Sequence, residues 1–182
     1  ITSQFGVSST EVLTIQAGGI SGAGPPGTGV VNKLTQGDAD AIERLNSVDF
    51  SLIRLVPQGR FEFNDKVGFG MAMSVPDGEK RGMMYEVLEI EPEVGRLLKD
   101  GDNDKVVLGY SFYSDNTGFD KKIVPGNDVL IQDKKFEVVG ITEKKGSFIF
   151  DNIVHMNEDT LKNLFDIGDE VDLIVAKVKD KS

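Results

Sequence analysis

Between Ile90 and Ile141 three short signals follow one another. They are Gly95-Arg96-Leu97-Leu98, then Val106-Val107-Leu108-Gly109, then the pair Asp128-Val129-Leu130-Ile131 and Phe136-Glu137-Val138-Val139-Gly140-Ile141. The first reads as the end of a helical turn and the second as a buried strand. The third reads as a hairpin, two apolar runs separated by polar residues. One helical signal among several extended ones points to a mixed α/β fold.

Outward from this stretch, the N-terminal side opens with a strand at Glu11-Val-Leu-Thr-Ile-Gln16, with Val12 and Thr14 on one face and Leu13 and Ile15 on the other. A Gly/Pro-rich loop over residues 17–29 follows. Thr35 or Asp38 can then cap a helix with Ala41, Ile42 and Leu45 at core spacing, ending near Asn46-Ser47. Residues 50–63 and 67–75 read as two extended segments joined by a turn at Asn64-Asp65. Pro76-Asp77-Gly78 closes that unit as a lobe boundary, and a helix is expected over residues 83–90. On the C-terminal side, Ile153-Val-His-Met156 reads as a strand, Asn157 or Asp159 as the cap of a helix bearing Leu161, Leu164 and Phe165, and residues 171–178 as a closing strand. The expected class is α/β (α+β) in two lobes. Residues 1–76 with 151–182 form a discontinuous βαβ-type lobe with a mixed sheet, and residues 77–150 form a smaller inserted lobe.

Composition bounds the function. The chain has 182 residues, 39% of them hydrophobic, which is enough for a sizeable core. Its net charge of −10 repels phosphate backbones, so nucleic acid is not an expected partner. With no cysteine there are no disulfides, thiolate metal sites or Cys nucleophiles. No apolar run approaches the roughly 20 residues that span a bilayer. The chain opens on Ile1 rather than Met, as a segment excised from a longer protein would.

Several motifs suggest chemistry and fail on detail. Gly24-Pro-Pro-Gly-Thr-Gly29 matches the front of a P-loop, but Val30 and Val31 stand where Lys and Ser/Thr must reach phosphate and Mg²⁺. No ATP binding is expected from it, and residues 18–31 should be the most mobile internal segment. Asp100-Gly-Asp102-Asn103-Asp104 has oxygens at alternate positions, as a calcium loop does. The sixth and twelfth places of an EF-hand would then be Lys105 and Ser111, so a solvated turn is the reading taken. His155, the single histidine, cannot build a His-based metal site alone and fits a packed strand. Glu86, Glu89, Glu91 and Glu93 form a solvated face. Met71, Met73, Met83 and Met84 are candidates for an adaptable apolar contact or for lobe packing. No catalytic, cofactor-binding or metal residue is assigned, and no cofactor.

In this order the signals resemble the extracytoplasmic core domain of MacB/FtsX-type ABC-transporter permeases. Val12-Leu-Thr-Ile-Gln-Ala-Gly-Gly19 and Leu34-Thr-Gln-Gly-Asp38 are similar to the family's opening strand and first helix, and residues 153–165 and 173–178 to its closing βαβ unit. Tyr110-Ser-Phe-Tyr-Ser-Asp-Asn-Thr-Gly118 stands where relatives carry a small-residue helix. The resemblance implies a non-enzymatic domain at the outer face of the cell membrane, between the first two membrane helices of its permease. It would transmit ATP-driven conformational change and handle a substrate or partner protein there. Its implied partners are a cytoplasmic ATP-binding subunit, a second permease copy, and a peptide, lipoprotein or small-molecule substrate. The excised domain is expected to be monomeric or weakly dimeric. A surface adhesion or scaffold domain without a transporter is the alternative, and a carboxylate-dependent hydrolase a more distant one.

Overall fold

A computed structural model of the chain describes residues 11–17, 29–114 and 117–179. The chain divides into two compact units, residues 1–56 with 167–182 and residues 57–166.

The first unit is built on strands β1 (Val12–Gln16), β3 (Val48–Arg54) and β12 (Leu173–Val178), antiparallel in the order β1-β12-β3. Strands β2 (Leu34–Thr35) and β11 (Glu170–Val171) pair beside them. Helix α1 (Gln36–Glu43) starts where the capping signal placed it. The Thr35 hydroxyl accepts from the Asp38 amide at 3.3 Å, and the Asp38 carboxylate accepts the Thr35 amide at 2.8 Å, which satisfies two end donors reciprocally. Ala39 is buried with Ile53, Val171 and Ile174, against which Ile15, Leu34 and Ile42 pack. This places Ile15 on the covered side of β1, whereas Leu13, assigned to the same face by alternation, is 51% exposed.

The second unit carries a seven-stranded sheet in the order β6-β9-β7-β10-β5-β4-β8: β4 (Gln58–Phe63), β5 (Lys66–Val75), β6 (Pro92–Gly95), β7 (Lys105–Leu108), β8 (Asp128–Ile131), β9 (Lys134–Thr142) and β10 (Ile153–Asn157). Strand β8 also pairs with β9 (Val129 opposite Phe136), so six strands close into a ring with β6 attached to β9. Two-residue turns make both hairpins. Asn64 and Asp65 (φ 53° and 58°) join β4 to β5, and Gln132 and Asp133 (φ 50° and 63°) join β8 to β9. Left-handed backbone at both turn residues matches the strand twist. Phe61, Phe112 and Phe119 meet with ring centroids 5.3–6.5 Å apart, among buried Ile123, Ile131, Phe136 and Val138.

Four sequence expectations differ from this. The lobe division expected at 76/77 and 150/151 instead falls at 56/57 and 166/167, because β10 pairs with β7 (Val154 opposite Leu108) and β4 with β8 (Phe61 opposite Ile131), which joins the expected insert to its flanks in one sheet. The extended segment 50–63 is accordingly two strands in two units. Pro76-Asp77-Gly78 opens helix α2 (Glu79–Val87), which begins four residues earlier than expected, with Arg81 donating from Nε to the Pro76 carbonyl at 3.1 Å. The expected helical turn ending in Gly95-Arg96-Leu97-Leu98 is not helix: Pro92–Gly95 form strand β6 and residues 96–98 follow it without regular structure; Gly95 has φ +78°, which an α-helix excludes.

Candidate functional site

The three signals that mark the middle of the sequence converge in space. Strand β9 lies between β6 and β7, so Gly95, Val107 and Gly140 belong to neighbouring strands. Their glycines mark backbone-to-backbone approach. A Cβ on Gly140 would lie 2.9 Å from the Arg96 carbonyl carbon and 3.0 Å from its amide nitrogen. A Cβ on Gly109 would lie 2.5 Å from the Asp151 carbonyl oxygen. The glycines of the motif therefore serve close packing of backbone on backbone.

The acidic turn 100–104 is held by cations of the protein itself. Asp102 is buried, and Arg96 donates to both its carboxylate oxygens, Nη1 at 2.6 Å and Nη2 at 3.1 Å. The Lys99 amide donates to it at 2.9 Å. Burial pushes the Asp102 carboxyl up, but these bonds, with the Arg96 and Lys105 charges, outweigh it and hold the acid below its ordinary range. Asp100 pairs with Arg81 at 2.9 Å and accepts the Gly78 amide at 3.1 Å. The cluster locks the turn onto the start of helix α2 and the end of β6.

His155 is buried in the middle of β10, opposite Met73 on β5 and Val107 on β7. Of the four methionines considered for a contact surface, Met73 and Met84 are core, Met71 is half-buried and Met83 is exposed. Asp172, half-buried between β11 and β12, accepts the Val56 amide at 2.6 Å. Burial pushes the Asp172 carboxyl above its ordinary range; the Val56 amide and the Lys33 charge oppose this, and the Glu170 charge adds to it. Glu170 is itself ion-paired with Lys33 at 2.5 Å. Most of the Gly/Pro-rich loop, residues 18–28, lies outside the described residues; beyond it Val31 is 96% exposed.

Among the described residues the second unit exposes large apolar side chains most fully in two places. On the β4–β5 hairpin, Phe69 is 84% exposed and flanked by exposed Val67, opposite the Arg60–Glu62 ion pair. The side chains on the other face of this hairpin are small where rings approach: a Cβ on Gly59 would meet the Phe165 ring at 2.7 Å. The second place is α3 (Phe148–Asp151), a helical turn where the sequence reads only a strand-sized apolar run, with Phe148 81% exposed. Sequence reasoning missed both, because alternation marks which residues share a face and not which face is left uncovered.

The geometry thus offers packed strands, ion-paired turns and exposed aromatic side chains. Residues 1–182 match the MacB-like periplasmic core domain throughout. The chain belongs to that family. A curated relative, an uncharacterized ABC transporter permease of Methanocaldococcus jannaschii, is 29% identical over 148 residues, covering 81% of this chain and 36% of its own length. The chain thus spans about a third of that relative. The MacB-like fold is also that of solved structures. The periplasmic region of MacB from Actinobacillus actinomycetemcomitans superposes with TM-score 0.69 at 17% identity, over 95% of this chain and 77% of that one. The extracellular domain of the noncanonic ABC-type transporter YknZ from Gram-positive bacteria gives 0.63 at 12% identity, over 82% and 75%. Among the described residues no helix is long and apolar enough to cross a membrane.

Proposed function

We propose that this chain is the extracytoplasmic domain of an ABC-transporter permease, which carries ATP-driven conformational change outward and handles a substrate or partner protein there. The family match over residues 1–182 carries the reading, and the likeness to a permease over 81% of the chain supports it. In this reading ATP is hydrolysed by a cytoplasmic partner, two permease copies work together, and the domain contributes movement and contact surface. Two separately packed units suit that role, since stiff bodies joined by few crossings move as bodies instead of deforming.

Two experiments on the permease that carries this chain test it. These 182 residues have no cysteine, so in a permease cleared of cysteine elsewhere a single Val31→Cys at a 96% exposed position reports which side of the membrane it occupies. In intact cells a membrane-impermeant maleimide is expected to label it; labelling only after lysis refutes the placement. With the ATP-binding partner reconstituted, amide exchange within residues 11–179 is expected to differ between the ATP-bound and vanadate-trapped states. Identical exchange refutes transmission while leaving the placement intact.

A further inference from the structure

The second unit gathers cations on aromatic rings at one place. After β7 the chain makes a 3₁₀ turn, Tyr110–Tyr113, whose two tyrosine rings meet edge to face at 6.3 Å. Lys122 comes from the loop before β8 and places Nζ 5.0 Å from the Tyr113 ring centre. Lys144 comes from the loop after β9 and places Nζ 6.0 Å from that of Tyr110. Helix α3, with exposed Phe148, packs against the same turn. The flanking lysines Lys121 and Lys145 are exposed as well.

Asp120 and Asp151, next to these lysines, have other partners. Asp120 pairs with Lys66, and Asp151 accepts the Lys145 and Gly146 amides at 2.7 and 3.0 Å. Lys145 donates from Nζ to the Glu89 carbonyl. Glu143 is half-buried at the foot of the loop. Among the described residues no carboxylate pairs with Lys121, Lys122 or Lys144, whereas Lys33, Lys66, Lys105, Lys135 and Lys162 are all ion-paired. In a chain of net charge −10 this leaves three lysines without a carboxylate partner among the described residues, beside an exposed aromatic side chain.

We propose that Tyr110, Tyr113, Lys122, Lys144 and Phe148 form a docking surface for an acidic polypeptide segment that carries an apolar side chain. The segment's carboxylates meet ammonium groups already positioned over rings, and its apolar side chain covers Phe148. Charge selects a peptide over a membrane. Adsorption to anionic lipid takes about 4–8 clustered basic residues and feels the whole molecule, which here is strongly acidic. A short segment feels only charges within about a Debye length, roughly 8 Å in physiological salt, and so responds first to the unpaired Lys122 and Lys144. The proposal names the partner chemistry within the reading given above and rests on it for biological meaning. Its test does not depend on the transporter.

The probe is a fluorescein-labelled octapeptide, Glu-Glu-Leu-Glu-Glu-Leu-Glu-Glu, titrated against the 182-residue chain by anisotropy. Saturable binding is expected, weakening about tenfold or more on raising salt from about 0.05 to 0.5 M. The double variant K122E/K144E and the single variant F148S are each expected to weaken it about tenfold or more. Lys99→Glu, an exposed charge reversal elsewhere, is expected to leave binding unchanged. Far-ultraviolet circular dichroism verifies that each variant is folded. Absence of binding at millimolar peptide, or binding indifferent to the patch variants, overturns the proposal. Patch-dependent binding to phosphatidylglycerol vesicles with none to the peptide overturns it in favour of a membrane.

Discussion

Replacing Gly140 with alanine tests whether the approach of β6 to β9 holds the second unit together. The new methyl would sit 2.9 Å from the Arg96 carbonyl carbon, with the carbonyl oxygen closer still, and both are backbone. No side chain can swing aside, so β6 must retreat by about an ångström. That retreat strains the Arg96 amide's bond to the Val139 carbonyl, 3.0 Å in the parent, and the adjoining ladder. Overpacking of this kind costs about 1–3 kcal/mol and a lost backbone bond about 1 kcal/mol. Alanine returns about 0.4–1 kcal/mol by restricting the unfolded chain. The net expectation is about 2.5 kcal/mol. For the roughly 110 residues of 57–166, at about 2.1 cal/mol/K per residue, that lowers the melting temperature by about 11 °C. All three tyrosines, Tyr85, Tyr110 and Tyr113, lie in this unit and the chain has no tryptophan, so near-ultraviolet dichroism of tyrosine follows its melting alone. Gly70→Ala is the control, because a Cβ there meets nothing within 4 Å, and it should melt within about 2 °C of the parent. A G140A protein that melts as the control does refutes the reasoning.

Asp102→Ala removes the acceptor of two guanidinium bonds and of the Lys99 amide, and should cost about 2–3 kcal/mol at neutral pH, measured by urea unfolding. Because the folded protein holds this acid below its ordinary value, its contribution is present above that range and vanishes as pH falls through the depressed one. Parent and variant should converge in strong acid. Asp172 has the opposite sign: its folded value is raised, so the native state holds the proton longer and stability falls as pH climbs from about 4 through that value. Asp172→Asn, which still offers an oxygen to the Val56 amide, should lose that slope in melts taken across mildly acidic pH; an unchanged slope refutes the assignment. In sedimentation at micromolar concentration and physiological salt the chain should run as a monomer or weak dimer, since identical surfaces of net charge −10 repel. A dimer that survives dilution would overturn this.

Local rules made much of this protein legible before any coordinates. Thr35 and Asp38 specify a helix start because their side chains reach end amides three residues away. Asn64-Asp65 specifies a hairpin because few residues accept left-handed backbone. Val106-Val-Leu108 specifies a buried strand because apolar residues on both faces need cover on both. The family resemblance rests on such local signals taken in order. Tertiary structure decided what depends on partners distant in the chain. Pro92–Gly95 is a strand because β9, some 45 residues later, offers it a ladder, and nothing in Gly95-Arg96-Leu97-Leu98 announces that. The unit boundary falls at Val56 and Ile167 because β4 pairs with β8, about 70 residues away, and β10 with β7, about 45 residues away. The cation-bearing tyrosine turn exists only because the ring of strands brings the loops of Lys122 and Lys144 to one place. A sequence encodes which faces each segment must bury, but closure of a sheet and meeting of loops follow from pairing free energies summed over the whole chain, and no window of neighbouring residues contains that sum.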